Sequence, residues 1–348
     1  MLLSYLTGQK VVIPFKGWYF VPVNLEILEE VLEAEERIRP YIRETPVELS
    51  PVLSQSGQCS VYLKLENLQI TGSFKLRGAT NKLLSLSQEE KTSGLITAST
   101  GNHGAAFAHI INKLGCQGTI YLPHTADQAK VDSLHFYGVN IQFYGDDCVQ
   151  AEAQARTAAL EQNLTYISPY NDLKIIGGQG TVGLELEKQI KKMDAVLVPV
   201  GGGGLIAGIA GYLKSVDPGI EIIGCQPENS AVMSESIRAG RIVEMESKPT
   251  ISEGTAGGIE QGAITFNLCQ RYVDEFICVS EEEIEAAMKM IIENQSLLIE
   301  GAAALPVAAF IKRKEKFKSK TVVLILSGSR ISLERLKGIL CEKGEACD

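Results

Sequence analysis

Three short runs of residues could do chemistry. Gly201-Gly202-Gly203-Gly204 follows an apolar run and precedes an amphipathic one. Only glycine lets several successive backbone N–H groups turn onto one anion without a Cβ in the way, and a helix starting there adds its positive end. The run therefore reads as a phosphate cradle. Gly202 to Ala207 also satisfies G-x-G-x-x-A, with Glu221 roughly where a ribose-binding acid would sit, which is the dinucleotide alternative. Against that alternative, several strands precede this one, whereas the fingerprint belongs to the first βαβ unit of its domain.

In Thr71-Gly72-Ser73-Phe74-Lys75-Leu76-Arg77-Gly78-Ala79 a lysine stands at a helix start, where a cation is disfavoured. Desolvation and a neighbouring positive end both favour the neutral amine, the form that condenses with an aldehyde. An ordinary surface lysine is the alternative. Ser99-Thr100-Gly101-Asn102-His103-Gly104 gathers hydroxyls, an amide and free N–H groups at another helix start. That suits a carboxylate, and equally suits a plain helix cap.

The elements that must hold these runs alternate along the chain, β-branched and short against amphipathic and long, which is an α/β pattern. The spacing predicts helices over 25–41 and 75–86 and a strand over 61–66. Strands over 94–98, 118–122, 139–144 and 165–168, with helices 103–114, 126–136 and 147–162 between them, make a small parallel-sheet unit. Further on come a helix near 181–191, a strand 195–200, a helix 205–215, a strand 221–225, helices 281–294 and 302–314, a strand 321–326 and a helix 333–341. Residues 241–266 carry glycines at 254, 257, 258 and 262 with no clean period, and a connection this long is functional or disordered.

Composition narrows the partners. With 33 Lys+Arg against 42 Asp+Glu the formal net charge is −9, so the basic footprint that nucleic acid or an anionic membrane selects is missing. Eight cysteines without a C-x-x-C pair, and four histidines, signal neither a zinc site nor a disulfide framework. Residues 1–20 are interrupted by Gln9, Lys10, Pro14, Lys16 and Gly17, unlike a signal peptide. The uncharged stretch 195–213 holds Pro199 and six glycines, so it reads as strand, loop and helix rather than a membrane span. A reduced, cytoplasmic protein is expected.

Taken together, S-F-K-L-R-G-A, S-T-G-N-H-G, the Gly177 to Thr181 run, P-V-G-G-G-G-L and Ser327-Gly328 resemble the fold-type II pyridoxal-phosphate enzymes, in the threonine deaminase and serine racemase branch. The resemblance spans about residues 45 to 329. It implies two open, mainly parallel twisted sheets flanked by helices, of the tryptophan synthase beta type. A large cofactor-binding domain would comprise 24–93 and 171–348, a small domain 94–170, and an N-terminal extension 1–23. By the same resemblance Lys75 is the Schiff-base lysine, Gly201, Gly202, Gly203 and Gly204 hold the phosphate, Phe74 lies against the ring, and Asn102 bonds its 3′ oxygen. Ser99, Thr100, Gly101, Asn102 and His103 surround the substrate carboxylate, and Tyr170 lies near the substrate side chain. Gly254 and Glu300 line the cofactor pocket, and Ser327 is the partner of the pyridine nitrogen. A homodimer is implied.

A neutral serine beside the pyridine nitrogen leaves the ring a weaker electron sink than an aspartate would, which favours quick loss of a β-leaving group. The expected activity is thus an ammonia-lyase that takes L-threonine or L-serine to a 2-oxo acid and ammonia, with Lys75 as both anchor and base. Thr100 stands where the racemase pattern has a serine, the second acid on the face opposite Lys75, so serine racemisation is the alternative. A dehydratase of another β-substituted amino acid such as 3-hydroxyaspartate is a further one, which the Tyr170 hydroxyl could serve. Members of this branch bind a divalent cation through Glu-Pro-x-x-x-x-Asp; here Gln226-Pro227 and Val232 replace both acids, so that metal site is expected to be lost or much weakened. After Ser327 there is room for one helix, and no added regulatory domain is expected.

Overall fold

The structure, a computed structural model, describes residues 23–341, so the expectation for 1–23 lies outside the described residues but for Val23. The chain opens with α1 (Val23–Ile38), β1 (Val47–Leu49), α2 (Pro51–Gly57), β2 (Ser60–Lys64), α3 (Lys75–Ser85) and α4 (Gln88–Ser93). A compact set follows: β3 (Leu95–Ala98), α5 (Asn102–Leu114), β4 (Gly118–Leu122), α6 (Gln128–His135), β5 (Asn140–Phe143), α7 (Cys148–Glu161) and β6 (Thr165–Tyr166). The rest comprises α8 (Leu173–Gln189), β7 (Ala195–Pro199), α9 (Gly204–Val216), β8 (Glu221–Pro227), α10 (Val232–Ala239), α11 (Ile264–Tyr272), β9 (Glu275–Val279), α12 (Glu281–Gln295), α13 (Gly301–Arg313), β10 (Thr321–Ile325) and α14 (Leu333–Leu340).

Among the described residues the strands form two sheets, one in the order β1-β2-β10-β7-β8-β9 and one in the order β5-β4-β3-β6. Every pairing is parallel except β1 with β2. A parallel strand covered by helices on both faces must be apolar on both. β7 is: Val196 and Val198 enter the core of α1, α8 and α9, while Ala195 and Leu197 enter that of α12 and α13. In the smaller sheet Leu95 and Ile120 face α5 and α6, and Ile96 and Tyr121 face α7. Leu76, Ala79 and Leu83 of α3 belong to the first of these two cores, so the helix that opens with Lys75 bridges both sheets.

The helix predicted to start near residue 181 begins at Leu173, capped by Asp172, whose carboxylate accepts from the N–H groups of Lys174 (2.8 Å) and Ile175 (3.2 Å). Gly177, Gly178, Gly180 and Gly183 lie inside it, each about 1 kcal/mol worse than alanine in a helix. Close packing offsets that loss. A Cβ on Gly178 would lie 2.6 Å from the Cα of Gly78 on α3, and one on Gly180 would lie 2.9 Å from the carbonyl oxygen of Gly208 on α9. α8 is therefore wedged between the helix that starts at Lys75 and the helix that starts at Gly204.

A buried ionic cluster fixes α3 further. Arg77, fully buried, donates to both oxygens of Glu66 and of Glu185, each contact 2.8 Å. Lys64, also buried, donates to Glu185 at 2.6 Å. Such a cluster sets the rotation of a helix as well as its depth, because a guanidinium fork satisfies two carboxylates in one geometry only.

The sequence reading did not resolve β1, α2, α4, α10, α11 or β9 as elements. Among the described residues Cys59, Cys116, Cys148, Cys225, Cys269 and Cys278 are free thiols, whereas Cys341, which follows α14, is disulfide-bonded, contrary to the expected reduced chain.

Candidate active site

The chemistry-bearing runs meet at the carboxyl ends of strands, where open α/β sheets collect ligands. The glycine run follows β7, Ser327 follows β10, and Ser99 to Asn102 follow β3. The loop before Lys75 is stitched to the end of β10: the Phe74 N–H donates to Ser327 O (3.1 Å), the Ser329 N–H to Gly72 O (2.9 Å), and Ser73 pairs with Gly328. Together they line one cavity of about 1550 Å³ reached by both sheets.

At its floor the Lys75 amine donates to the Pro169 carbonyl at 2.8 Å and sits 5.2 Å from the centre of the Phe74 ring. Burial brings its pKa down to about 8 against the opposing pull of Glu300. A surface lysine would have neither the enclosure nor the shift. At pH 7 about one amine in ten is neutral, against about four in ten thousand for an ordinary lysine.

Each of the four glycines is closed in on its Cβ side. On Gly201 a Cβ would lie 2.9 Å from the Cα of Thr255, and on Gly202 it would strike the Tyr170 ring at 2.5 Å. On Gly203, which caps α9 with φ of 88°, it would meet the Met233 methyl at 2.7 Å; on Gly204 it would meet Tyr170 at 3.1 Å. A side chain is shut out at Gly201, Gly202 and Gly203 and crowded at Gly204, which argues against a merely flexible turn.

Across the cavity, the Ser99 hydroxyl accepts from the Gly101 N–H (3.2 Å), and Gly104 passes so near Ser99 that a Cβ would lie 2.0 Å from its carbonyl oxygen. The last glycine of S-T-G-N-H-G is thus explained by packing. Thr100 and Gly101 are half-buried on the cavity wall. The Asn102 amide donates to both Glu300 oxygens (2.7 and 3.0 Å), and the Arg330 N–H donates to Glu300 from the other side (3.1 Å). Burial pushes Glu300 up to about 7, with those donors pulling the other way. Gly254 lies beside this carboxyl, a Cβ there falling 3.5 Å from Oε1. Ser327, buried, closes the wall at the end of β10.

Two side chains are engaged elsewhere than expected. The His103 ring is buried, with Nε2 3.1 Å from both Thr97 Oγ1 and Ile167 O, and burial and the charge of Lys75 push its pKa down to about 3. Only its main chain is left to face an anion. The Tyr170 ring covers Gly202 and its Cα and Cβ cover Gly204, while its hydroxyl accepts from the Glu260 N–H (2.9 Å), which turns the ring onto the cradle and leaves the O–H as a donor. The sequence reading missed Pro169, Thr255 and Arg330. A main-chain carbonyl and a main-chain roof have no side-chain signature, and Arg330 is marked only by standing three residues after Ser327.

The residues present fit pyridoxal phosphate. The glycine run is a cradle that a single Cβ would fill, a partly neutral amine stands in the same cavity, and the buried Asn102 Oδ1 and Ser73 Oγ have no protein partner. They do not fit a divalent metal where the resemblance places one. The buried Gln226 amide is spent on Val200 O (3.2 Å) and the Ser234 N–H (2.8 Å), Val232 is apolar, and Glu228 is held by Lys312 (3.2 Å).

A fold of two mainly parallel sheets with a half-buried lysine and a glycine cradle lining one cavity defines a class, and residues 38–328 match the family model described as pyridoxal-phosphate dependent enzyme. The chain belongs to that family. It is 43% identical over 317 residues to L-threonine dehydratase catabolic TdcB of Staphylococcus aureus (strain USA300), covering 90% of this chain and 91% of that protein. Among solved structures, the processed form of threonine deaminase isoform 2 from Solanum lycopersicum superposes with a TM-score of 0.88 at 33% identity, covering 98% of each chain. Serine racemase from Dictyostelium discoideum gives 0.82 at 33% identity, covering 88% of this chain and 99% of that one.

Proposed function

We propose that this protein is a pyridoxal-phosphate-dependent ammonia-lyase that converts L-threonine or L-serine to the 2-oxo acid and ammonia by α,β-elimination. The observation that carries the reading is Lys75: a half-buried, partly neutral amine on the cavity wall whose helix is locked by α8 to the helix of the glycine cradle. The threonine dehydratase and threonine deaminase relatives support the substrate class. When bound, the cofactor supplies an aldehyde for Lys75 and a ring that draws electrons from the substrate Cα.

The chain's own residues do the rest. The N–H groups of Gly201 to Gly204 hold the phosphate, with the positive end of α9 behind them. Main-chain N–H groups at the start of α5, with Ser99, Thr100 and Asn102, hold the substrate carboxylate. As a free amine, Lys75 would take the Cα proton, and it could do so at neutral pH because burial has lowered its basicity. The β-hydroxyl leaves as water and one water is taken up when ammonia is released, so the atoms balance.

The protein is further proposed to be a cytoplasmic homodimer that uses no divalent metal, the last supported by the engaged Gln226 amide and by Val232. Purified, cofactor-loaded protein given L-threonine or L-serine should release 2-oxo acid as the main product, and the Lys75→Ala variant should release none. D-serine as the main product would make it a racemase, with the Thr100 hydroxyl returning the proton from the far face. A protein that stays colourless after saturation with cofactor would overturn the reading.

A further inference from the structure

The glycine-rich stretch between α10 and α11 has no helix or strand apart from a single 3₁₀ turn at Glu253–Thr255, yet it is fastened at two points. Just past its middle, the Glu253 carboxylate is paired with Lys130 on α6 (2.9 Å) and with Arg335 on α14 (2.5 Å). Near its end, the Glu260 carboxylate is paired with Arg156 on α7 (2.7 Å) and accepts from the Asn171 amide (3.1 Å). The Glu260 N–H donates to the Tyr170 hydroxyl, and the Ile264 N–H donates to Asn171 Oδ1 (3.0 Å). Lys130 and Arg156 belong to helices of the smaller sheet, and Tyr170 and Asn171 to the segment that leads out of it.

Between these fastenings the path of the backbone is set by glycine. Gly257 (φ 113°) and Gly262 (φ 75°) occupy the left-handed region, and a Cβ on either, or on Gly258, would meet nothing within 4 Å. What glycine supplies at 257 and 262 is the positive φ that the path of the stretch requires, and the Gly257 N–H is held by the Ser230 hydroxyl (3.2 Å). The same stretch carries Thr255, whose Cα roofs Gly201, while Tyr170, to which Glu260 is bonded, roofs Gly202 and Gly204.

We propose that residues 253–263 are a strap over the cofactor-phosphate cradle, and that Glu260 is the positioning residue that buckles it to the unit of the smaller sheet through Arg156, Asn171 and Tyr170. The strap rests on the reading of the cradle as a phosphate site but not on which amino acid is the substrate. Glu260 touches neither cofactor nor substrate; it sets how long the cradle stays covered. The pair with Arg156 is about a third exposed and would contribute little alone, but a carboxylate that also receives an amide, on a residue whose N–H is bonded to Tyr170, is part of a network.

The test is release of cofactor from the holoenzyme without substrate, followed as loss of its visible absorbance in the presence of an excess aldehyde trap. Glu260→Gln and Arg156→Gln should each release cofactor about tenfold faster than the parent, the equivalent of about 1.4 kcal/mol. The double variant should release it no faster than either single one, since they undo the same buckle. Arg238→Gln, which breaks an exposed pair with Glu235 on α10, is the control for a merely structural effect and should release at the parent rate. In hydrogen exchange, amides 253–263 should be protected in the holoenzyme and lose protection in the apoprotein and in Glu260→Gln. Parent-like release from both variants, or equal exchange of the strap with and without cofactor, refutes the strap and leaves the lyase reading untouched. A parent protein that takes up no cofactor sinks both.

Discussion

Replacing Gly178 by alanine tests whether α8 sets the distance between Lys75 and the cradle. The new Cβ would lie 2.6 Å from Gly78 Cα, 2.7 Å from Arg77 O and 2.9 Å from Arg77 C, all backbone atoms of α3 that cannot rotate away. Restoring an ordinary contact of about 3.4 Å requires α3 to retreat from α8 by about 0.8 Å. Lys75 moves with α3, while the cradle stays on α9, held to the other side of α8 where Gly180 meets Gly208. Misplacement of about 1 Å lowers the rate of an oriented reaction about 100-fold, so kcat/KM should fall about 30- to 100-fold. Stability should change little, because an overpacking penalty of about 1–3 kcal/mol is partly offset by about 1 kcal/mol of better helix propensity. Gly183→Ala is the control in the same helix: its Cβ comes no nearer than 3.3 Å to Ile209 O, a gap that closes with a few tenths of an ångström, and kcat/KM should stay within twofold. Rates of 2-oxo acid formation, read beside melting temperatures, decide the matter. A Gly178→Ala protein with the parent's kcat/KM would show that α8 does not act as a ruler.

Two further outcomes follow from the ionised groups. Uptake of cofactor by the apoprotein should rise about tenfold per pH unit below pH 8 and level off above it, because only the neutral Lys75 amine condenses and its pKa is lowered to about 8; a rate flat between pH 6 and 8 would contradict that assignment. Arg77→Leu strands the Glu66 and Glu185 carboxylates in the core and should lower stability by about 3–5 kcal/mol in urea titration. Burial alone would raise Glu185, but Arg77 and Lys64 hold it down to about 2. Its contribution is therefore present above the ordinary carboxylate pKa of about 4.3 and should be lost as pH falls from there toward 2, a slope that Arg77→Leu should flatten.

The parallel strands and the three chemical runs were legible because each is specified locally: an apolar β-branched run, or a residue set at a helix start. What was not legible depends on partners distant in sequence. Gly177, Gly178 and Gly180 are poor helix formers, so the pattern sets the start of α8 at about 181; their bare Cα atoms make sense only against Glu30, Gly78 and Gly208 respectively. α10 and α11 are short and flank the irregular stretch 241–263, where glycines at 257, 258 and 262 hide any period. His103 sits in a run that suits a carboxylate, but the sequence could not say that Thr97 Oγ1 and Ile167 O would claim its ring. Residue type likewise cannot reveal that the Tyr170 ring lies against Gly202 and its Cα and Cβ against Gly204.

The segment from Ser168 to Asn171 joins these findings. Its Ser168 hydroxyl accepts from the N–H groups of Tyr170 (3.4 Å) and Asn171 (3.0 Å), which fixes the turn as the chain leaves the smaller sheet. The next carbonyl, Pro169, receives an N–H from the Lys75 amine. A carbonyl only accepts, so whatever the protonation state an N–H must point at it, and the lone pair of the neutral amine is turned elsewhere. Tyr170 then covers two glycines of the cradle, and Asn171 with the Tyr170 hydroxyl holds the strap through Glu260 and Ile264. One turn thus touches the amine, the cradle and the strap in succession. A displacement of these four residues would therefore act on the base and on the cover together.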